Sequence, residues 1–125
     1  MSVRNAIYGV IWIVAAVPAI CRADELSAAI DASCNETGRG AAKAMEYRQI
    51  GGNAADMLRR LREHADSSTN PYAVVALYEQ ERLLTAAFEL PRHYTPEMQA
   101  RAISEFENAA FLACRKTARA AAGIE

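Results

Sequence analysis

The segment Gly51-Gly52-Asn53-Ala54-Ala55-Asp56 decides where the first two elements of this chain separate. Two consecutive glycines end a helix readily, because glycine adopts the left-handed backbone conformation that helix C-termini use. Asn53 is a preferred N-cap residue, and Asp56, three residues later, is the acidic partner of a capping box. The segment therefore predicts the end of one helix and the start of a second helix over about residues 53–65.

The residues before this segment predict a long first helix from about Asp24 to Ile50. Asp24 and Glu25 would lie in its first turn, where acidic side chains complement the helix dipole. Apolar residues recur at helical spacing and predict a buried stripe: Leu26, Ile30, Cys34, Ala41 and Met45. Gly38 and Gly40 interrupt the stripe, and they indicate either a kink or the close approach of another helix.

The residues after it predict two further helices. Asn70-Pro71 is a strong start for helix three, because asparagine caps and proline loses no needed donor at the first helical position. Pro91 ends this helix after Leu90. Thr95-Pro96 repeats the pattern and starts helix four, which runs to about Ala122, with Gly123 as its C-cap. The predicted core-facing residues are Val74, Leu77, Tyr78, Leu84 and Phe88 on helix three, and Ile103, Phe106, Ala110, Ala113 and Cys114 on helix four.

These helices define the expected fold class. No stretch alternates with the period of two that strands show, and β-branched residues are few beyond the first 23 positions. Loops of about two to six residues favour antiparallel neighbours. We therefore expect an all-α protein, an irregular up-and-down four-helix bundle.

The first 23 residues have the pattern of a secretory signal peptide. Arg4 supplies a positive charge, residues 6–21 carry no charge, and Cys21-Arg22-Ala23 places small residues at the −3 and −1 positions of a cleavage site. A cut after Ala19 also fits, whereas Ile20 is too bulky for the residue before a lipidated cysteine. The sequence predicts a leader over 1–23, a single helical domain over 24–125, and a periplasmic or secreted location.

The cysteines agree with export. The chain has three, and the predicted leader contains Cys21, which leaves Cys34 and Cys114 in the domain. Each lies on the apolar stripe of a predicted helix, so we expect a disulfide between the first and last helices. A redox pair or metal site is the alternative, but there is no Cys-x-x-Cys and no histidine at ligand spacing.

Charge and motifs restrict the functional class. Residues 24–125 carry 12 basic and 15 acidic side chains, a net charge of −3, which argues against nucleic acid or an anionic membrane as the partner. The two histidines, His64 and His93, have no catalytic spacing around them, and no phosphate-binding loop or haem attachment motif is present. We expect no cofactor, no metal and no enzymatic activity. The sequence leaves the oligomeric state open.

A protein partner is the remaining expectation, and two segments are candidates for binding it. The first is an arginine strip on helix two, made of Arg59, Arg60 and Arg62. Acidic residues lie at ion-pair spacing around it and favour ordinary solvated pairs: Asp56, Glu63 and Asp66. The second is the loop Arg92-His93-Tyr94 between two prolines, where arginine and tyrosine are residue types enriched in interface hot spots. The loop is the preferred candidate.

One resemblance adds to this interpretation. Cys34, followed by Ala41-Ala42-Lys43-Ala44-Met45-Glu46-Tyr47-Arg48-Gln49-Ile50-Gly51 and by a second cysteine near the C-terminus, resembles a pattern in small exported proteins of Gram-negative bacteria. In outline the chain is similar to periplasmic immunity proteins that neutralise type VI secretion effectors, and also to acid-stress chaperones of the HdeA kind. The resemblance implies an exported, non-enzymatic binding protein, with an immunity or inhibitor protein as the specific expectation. An acid-stress chaperone and, last, a small periplasmic hydrolase are the alternatives.

Overall fold

A computed structural model of the protein describes residues 19–124, with side-chain surroundings from residue 22 onward. Four helices follow one another: α1 (Ala19–Gln49), α2 (Ala54–Ser67), α3 (Ala73–Glu89) and α4 (Pro96–Ala121). No strand occurs among the described residues. The predicted fold class, an all-α irregular bundle, is confirmed.

The central element is α1, and α4 packs along it most extensively. The two helices are antiparallel, because later residues of α1 meet earlier residues of α4: Ser27 with Arg119, Asp31 with Arg115, Cys34 with Cys114, and Gly38 with Phe111. The predicted disulfide is confirmed, with a Cα–Cα distance of 5.6 Å. Gly38 marks a close approach, since a Cβ added there would lie 3.4 Å from the Glu107 carbonyl oxygen.

The other side of α1 packs against α3, and these two helices run in the same direction. Hydrogen bonds from α1 to α3 and the residues just after it join residues that are 42 positions apart: Thr37 with Glu79, Arg48 with Leu90, and Gln49 with Pro91. The shorter α2 lies antiparallel to α3, where Arg62 donates to Glu81 at 2.8 Å. The directions alternate along the chain, as expected of an up-and-down bundle.

The buried core is contributed by α1 and α3, and α4 closes over it at Cys34. It consists of Ile30, Cys34, Ala41 and Met45 on α1, and Leu83, Leu84 and Ala87 on α3. The stripe predicted on α1 is therefore correct except for Leu26, which is 44% exposed at the end where α3 does not reach. Neither α2 nor α4 contains a buried residue, because each packs against the rest of the molecule on one side.

The predicted inward face of α3 was partly wrong. Val74 and Tyr78 are 72% and 74% exposed, while Leu83, which was not predicted, is buried. Apolar residues lie on two faces of α3, so periodicity alone did not select one. Packing selects the face of Leu83, whose side chain lies against Gly40 of α1. On α4, Ala113 is also exposed, whereas Ile103, Phe106, Ala110 and Cys114 are half-buried.

Two helix starts differ from the prediction. α1 already includes Ala19, the first described residue, so Asp24 and Glu25 are not in its first turn; no helix-breaking residue separates 19 from 24. α3 begins at Ala73 rather than at Pro71, because Asn70 Oδ1 accepts from the Tyr72 N–H at 2.9 Å and forms a turn ahead of the helix. Residues 1–18, which hold most of the predicted leader, lie outside the described residues.

The Gly51-Gly52-Asn53 segment ends α1 and starts α2 as predicted, with one correction. Gly51 has φ +84°, and the Gly51 and Gly52 N–H groups donate to the carbonyls of Arg48 and Tyr47, which is a Schellman ending. Asn53 caps α2 by accepting from the Asp56 N–H at 3.1 Å. The reciprocal capping-box bond is replaced: the Asn53 N–H donates to the Tyr47 hydroxyl, whose ring covers Gly52.

The remaining predicted caps are confirmed. Thr95 Oγ1 accepts from the Met98 N–H at 3.3 Å at the start of α4. Gly123, with φ +70°, follows the last residues of α4 in a second Schellman ending. None of the described helices contains a stretch long and apolar enough to cross a membrane.

Candidate protein-binding site

A buried glutamine holds the predicted recognition loop against α1. Gln49 is 1% exposed, and it is the one buried polar side chain among the described residues. Its Nε2 donates to the Pro91 carbonyl at 3.1 Å, and its Oε1 accepts from the His93 N–H at 2.8 Å. Because both ends of one amide bond to the backbone of the loop, the loop is tied to the end of α1 at two points.

Two arginines and a second glutamine add to this attachment. Arg92 Nε donates to the Gln49 carbonyl at 3.0 Å, and Arg48 Nε donates to the Leu90 carbonyl at 3.3 Å. The Arg48 guanidinium also lies 5.1 Å from the centre of the Phe88 ring, within cation–π range. From α4, Gln99 Nε2 donates to the His93 carbonyl at 2.8 Å. The backbone of the loop is therefore ordered by side chains from two helices.

Several large side chains are exposed around this ordered loop. Tyr94 is 96% exposed, Ile50 is 70% exposed, and Met98 and Leu90 are 50% and 43% exposed. Ile50 precedes Gly51, and a Cβ added at Gly51 would lie 3.0 Å from the Arg92 guanidinium. We call this end of the molecule the loop surface, and its members are Ile50, Leu90, Arg92, Tyr94 and Met98. It combines apolar side chains, an aromatic ring and an arginine on a fixed backbone.

A shallow cavity lies beside the loop surface. It has a volume of about 240 Å³ and lies between His93 and the first turns of α4. Met98, Arg101 and Glu105 are among its lining residues. Glu105 accepts from Arg101 Nε at 2.7 Å, and this hydrogen bond raises the pKa of the Arg101 guanidinium. The cavity edge therefore presents the Arg101–Glu105 ion pair next to the Met98 thioether.

The arginine strip on α2 is engaged within the molecule. Arg59 lies 3.0 Å from Glu63 and 3.8 Å from Asp56, as its spacing predicts. Arg62 pairs with Glu81 of α3 rather than with the predicted Asp66, because α3 brings that carboxylate across to α2. Arg60 is exposed and has no ion pair among the described residues. The strip thus offers one uncompensated cation, which makes it the weaker candidate.

The sequence analysis missed Gln49 and three members of the loop surface, Ile50, Leu90 and Met98. Gln49 had no distinguishing pattern, because a polar residue near a helix end is normally solvated. Ile50 is more than 40 positions from the loop in sequence, and the packing of α1 against α4 brings it to the end of the molecule where Leu90 and Met98 flank the loop. One feature of the sequence could have indicated the burial of Gln49. The apolar stripe of α1 ends at Met45, and Gln49 occupies the next position on the same face of the helix.

Within residues 19–124, no group of three or more His, Cys, Asp and Glu side chains is arranged to hold a metal ion. Comparison of the chain with models of protein families, with curated proteins and with solved structures gives no significant match.

Proposed function

We propose that this protein is a non-enzymatic binding module, exported to the periplasm or secreted, that recognises a protein partner through the loop surface. The observation that carries the proposal is the burial of Gln49 beneath the loop, with hydrogen bonds to Pro91 and His93. A backbone ordered before binding loses less conformational entropy on association, so its side chains contribute more of their contact energy to affinity.

The composition of the loop surface supports a protein partner. Tyrosine and arginine are enriched in interface hot spots, and Tyr94 is almost fully available for contact. Aliphatic and thioether side chains next to it, from Ile50 and Met98, supply apolar area for the centre of an interface. Within this class, an immunity or inhibitor protein acting on a secreted effector is the specific function we propose to test.

The location rests on separate observations. The Cys34–Cys114 disulfide is compatible with an oxidising compartment. The leader pattern of residues 1–23 supports export and a mature chain that begins at Asp24. The intact mass of the exported protein tests this, because a mass that includes residues 1–23 and is recovered from membranes alone would contradict it.

Partner capture tests the proposed function. The disulfide-bonded protein is immobilised, proteins retained from an extracellular or periplasmic fraction are identified by mass spectrometry, and the retained protein is then purified for a direct affinity measurement. Tyr94→Ala should weaken the affinity at least about tenfold, the loss of one hot-spot side chain, without lowering the melting temperature.

The matched control is Tyr72→Ala, which removes another exposed tyrosine, 73% exposed, on a different part of the surface. This variant should bind as tightly as the parent protein. Equal affinities for Tyr94→Ala and the parent would exclude the loop surface as the site. Turnover of any substrate that persists through repeated purification would contradict the non-enzymatic function itself.

A further inference from the structure

The outward face of α3 carries a second exposed apolar area, away from the loop surface. Val74, Val75 and Tyr78 are 72%, 67% and 74% exposed. Large apolar side chains that are exposed together on one helix face are a common feature of interaction sites. The face is opposite Leu83, Leu84 and Ala87, which pack inward. A partner could therefore contact this face without disturbing the buried residues of α3.

The exposed residues of this face follow a heptad spacing. Their separations alternate between three and four residues, and we call them the α3 stripe: Val75, Tyr78, Arg82, Thr85 and Glu89. Four of the five line a shallow surface groove. This spacing forms a straight seam along a helix, which is the pattern by which one helix pairs lengthwise with another.

The charges on α3 are placed unfavourably for an isolated helix. Glu89 is in the last turn, where the helix dipole disfavours an acid, and no basic residue accompanies it. At the other end, no acidic residue lies in the first turn, and the N-cap Tyr72 makes no side-chain capping bond. Arg82 has no ion-pair partner among the described residues. The N-terminal end of α3 therefore lacks an acid, and Glu89 at the C-terminal end of a second molecule could supply one.

We propose that the α3 stripe is a homodimer interface, in which α3 pairs antiparallel with α3 of a second copy about a twofold axis. In this register Tyr78 lies against Arg82 of the second copy, and Val75 lies against Thr85. Glu89 then reaches the N-terminal end of the other α3, near Pro71. Because the axis repeats every contact, the interface gains two tyrosine–arginine cation–π contacts and two favourable acid–dipole contacts.

The charges also select the antiparallel direction. A parallel pairing in the same seam would place Arg82 against Arg82 and Glu89 against Glu89, and both contacts are repulsive. A helix of 17 residues is about 25 Å long, so the interface is at the low end of the range for specific complexes. We therefore expect a reversible dimer with a Kd of about micromolar order.

Sedimentation velocity of the disulfide-bonded protein over a concentration series tests the dimer. The sedimentation coefficient should rise with concentration, and Tyr78→Glu should abolish the rise. Leu112→Glu is the matched control: it places the same charge at another exposed apolar residue, 59% exposed on α4, and should dimerise like the parent. Tyr94→Ala should also leave the dimer unchanged, which separates this interface from the loop surface.

Cysteine cross-linking tests the direction. An oxidised mixture of Val75→Cys and Thr85→Cys chains should form a covalent dimer that neither variant forms alone, because each residue would face the other across the seam. The parent protein, oxidised in parallel, reports any contribution of its native cysteines. A covalent dimer from Val75→Cys alone would indicate parallel pairing and overturn the proposed register.

A protein that sediments as a monomer at every concentration, or a Tyr78→Glu variant that still dimerises, would overturn the interface.

Discussion

The two flanks of α1 are held by different kinds of interaction. On the α4 flank, a disulfide, the Asp31–Arg115 ion pair and the Ser27–Arg119 hydrogen bond connect side chains along the helix pair. On the α3 flank, α3 contributes Leu83, Leu84 and Ala87 to the buried apolar core. The difference shows two means of stabilising a small domain: specific side-chain links add to the packing of α4, whereas α3 is held mainly by the burial of apolar side chains.

The largest effect is expected from removing the disulfide on the α4 flank. The bridge closes a loop with a sequence separation of 80, and the chain-entropy model gives about 4 kcal/mol for a loop of this size. Cys34→Ala with Cys114→Ala should lower the free energy of unfolding by up to that amount in a urea titration. Reductant should destabilise the parent equally and leave the double variant unchanged. Equal melting temperatures for parent and variant would show that packing alone holds this flank.

The α3 flank should respond almost as strongly to the loss of one core side chain. Leu84 is 3% exposed and faces a cavity of about 210 Å³ that Met57 and Leu61 of α2 also line. Leu84→Ala should lower the free energy of unfolding by about 3 kcal/mol, from lost burial and an enlarged cavity. Leu112→Ala, the same change at an exposed leucine of α4, should cost less than about 0.5 kcal/mol. Equal effects of the two variants would contradict the contribution of Leu84 to the buried core.

The loop between α3 and α4 joins the two flanks, and Gln49 should dominate its attachment. Gln49→Leu leaves the Pro91 carbonyl and the His93 N–H without their partner, and should cost about 2 kcal/mol. Hydrogen exchange at the His93 amide should accelerate. Gln99→Leu, which removes the single half-buried bond from α4, should cost about 1 kcal/mol or less. A larger effect of Gln99→Leu would mean that α4, not α1, orders the loop.

The smallest effects should come from ion pairs, and they should still differ between the flanks. The Arg115–Asp31 pair is about 40% exposed on each side, so Arg115→Ala should cost about 1 kcal/mol. Arg62, 61% exposed, pairs with Glu81 between α2 and α3, and Arg62→Ala should cost less than about 0.5 kcal/mol. Arg60→Ala is the control for a side chain without an ion pair. Equal effects of the Arg115 and Arg62 variants, insensitive to salt, would contradict this ranking.

The local signals of this sequence predicted the elements well. The helix ends and starts in the structure agree with three of these signals: Gly51, Asn53 and the pair Thr95-Pro96. The Asn70-Pro71 signal was displaced by two residues, because the asparagine side chain caps a turn instead of the helix. The exposed Val74 and Tyr78 were predicted as core, since α3 has apolar residues on two faces and a period of 3.6 fits both.

The candidate site was predictable in part. Arg92-His93-Tyr94 is recognisable in the sequence as a short loop between prolines, and among the described residues its Tyr94 is the most exposed large apolar side chain. The role of Gln49 was not predictable, because its partners are backbone groups more than 40 positions away in sequence. Hydrogen bonds over such a distance depend on the relative placement of helices, which no local pattern encodes.

By itself, the sequence determined four helices, their approximate ends and the pair of cysteines that could meet, because capping, helical periodicity and cysteine placement are local properties of the chain. The tertiary structure alone decided which face of α3 is buried, which carboxylate Arg62 pairs with, and that a glutamine under the loop orders it. The physical reason is the same in each case. A side chain with two possible environments takes the one that its neighbours leave open, and those neighbours come from distant parts of the chain.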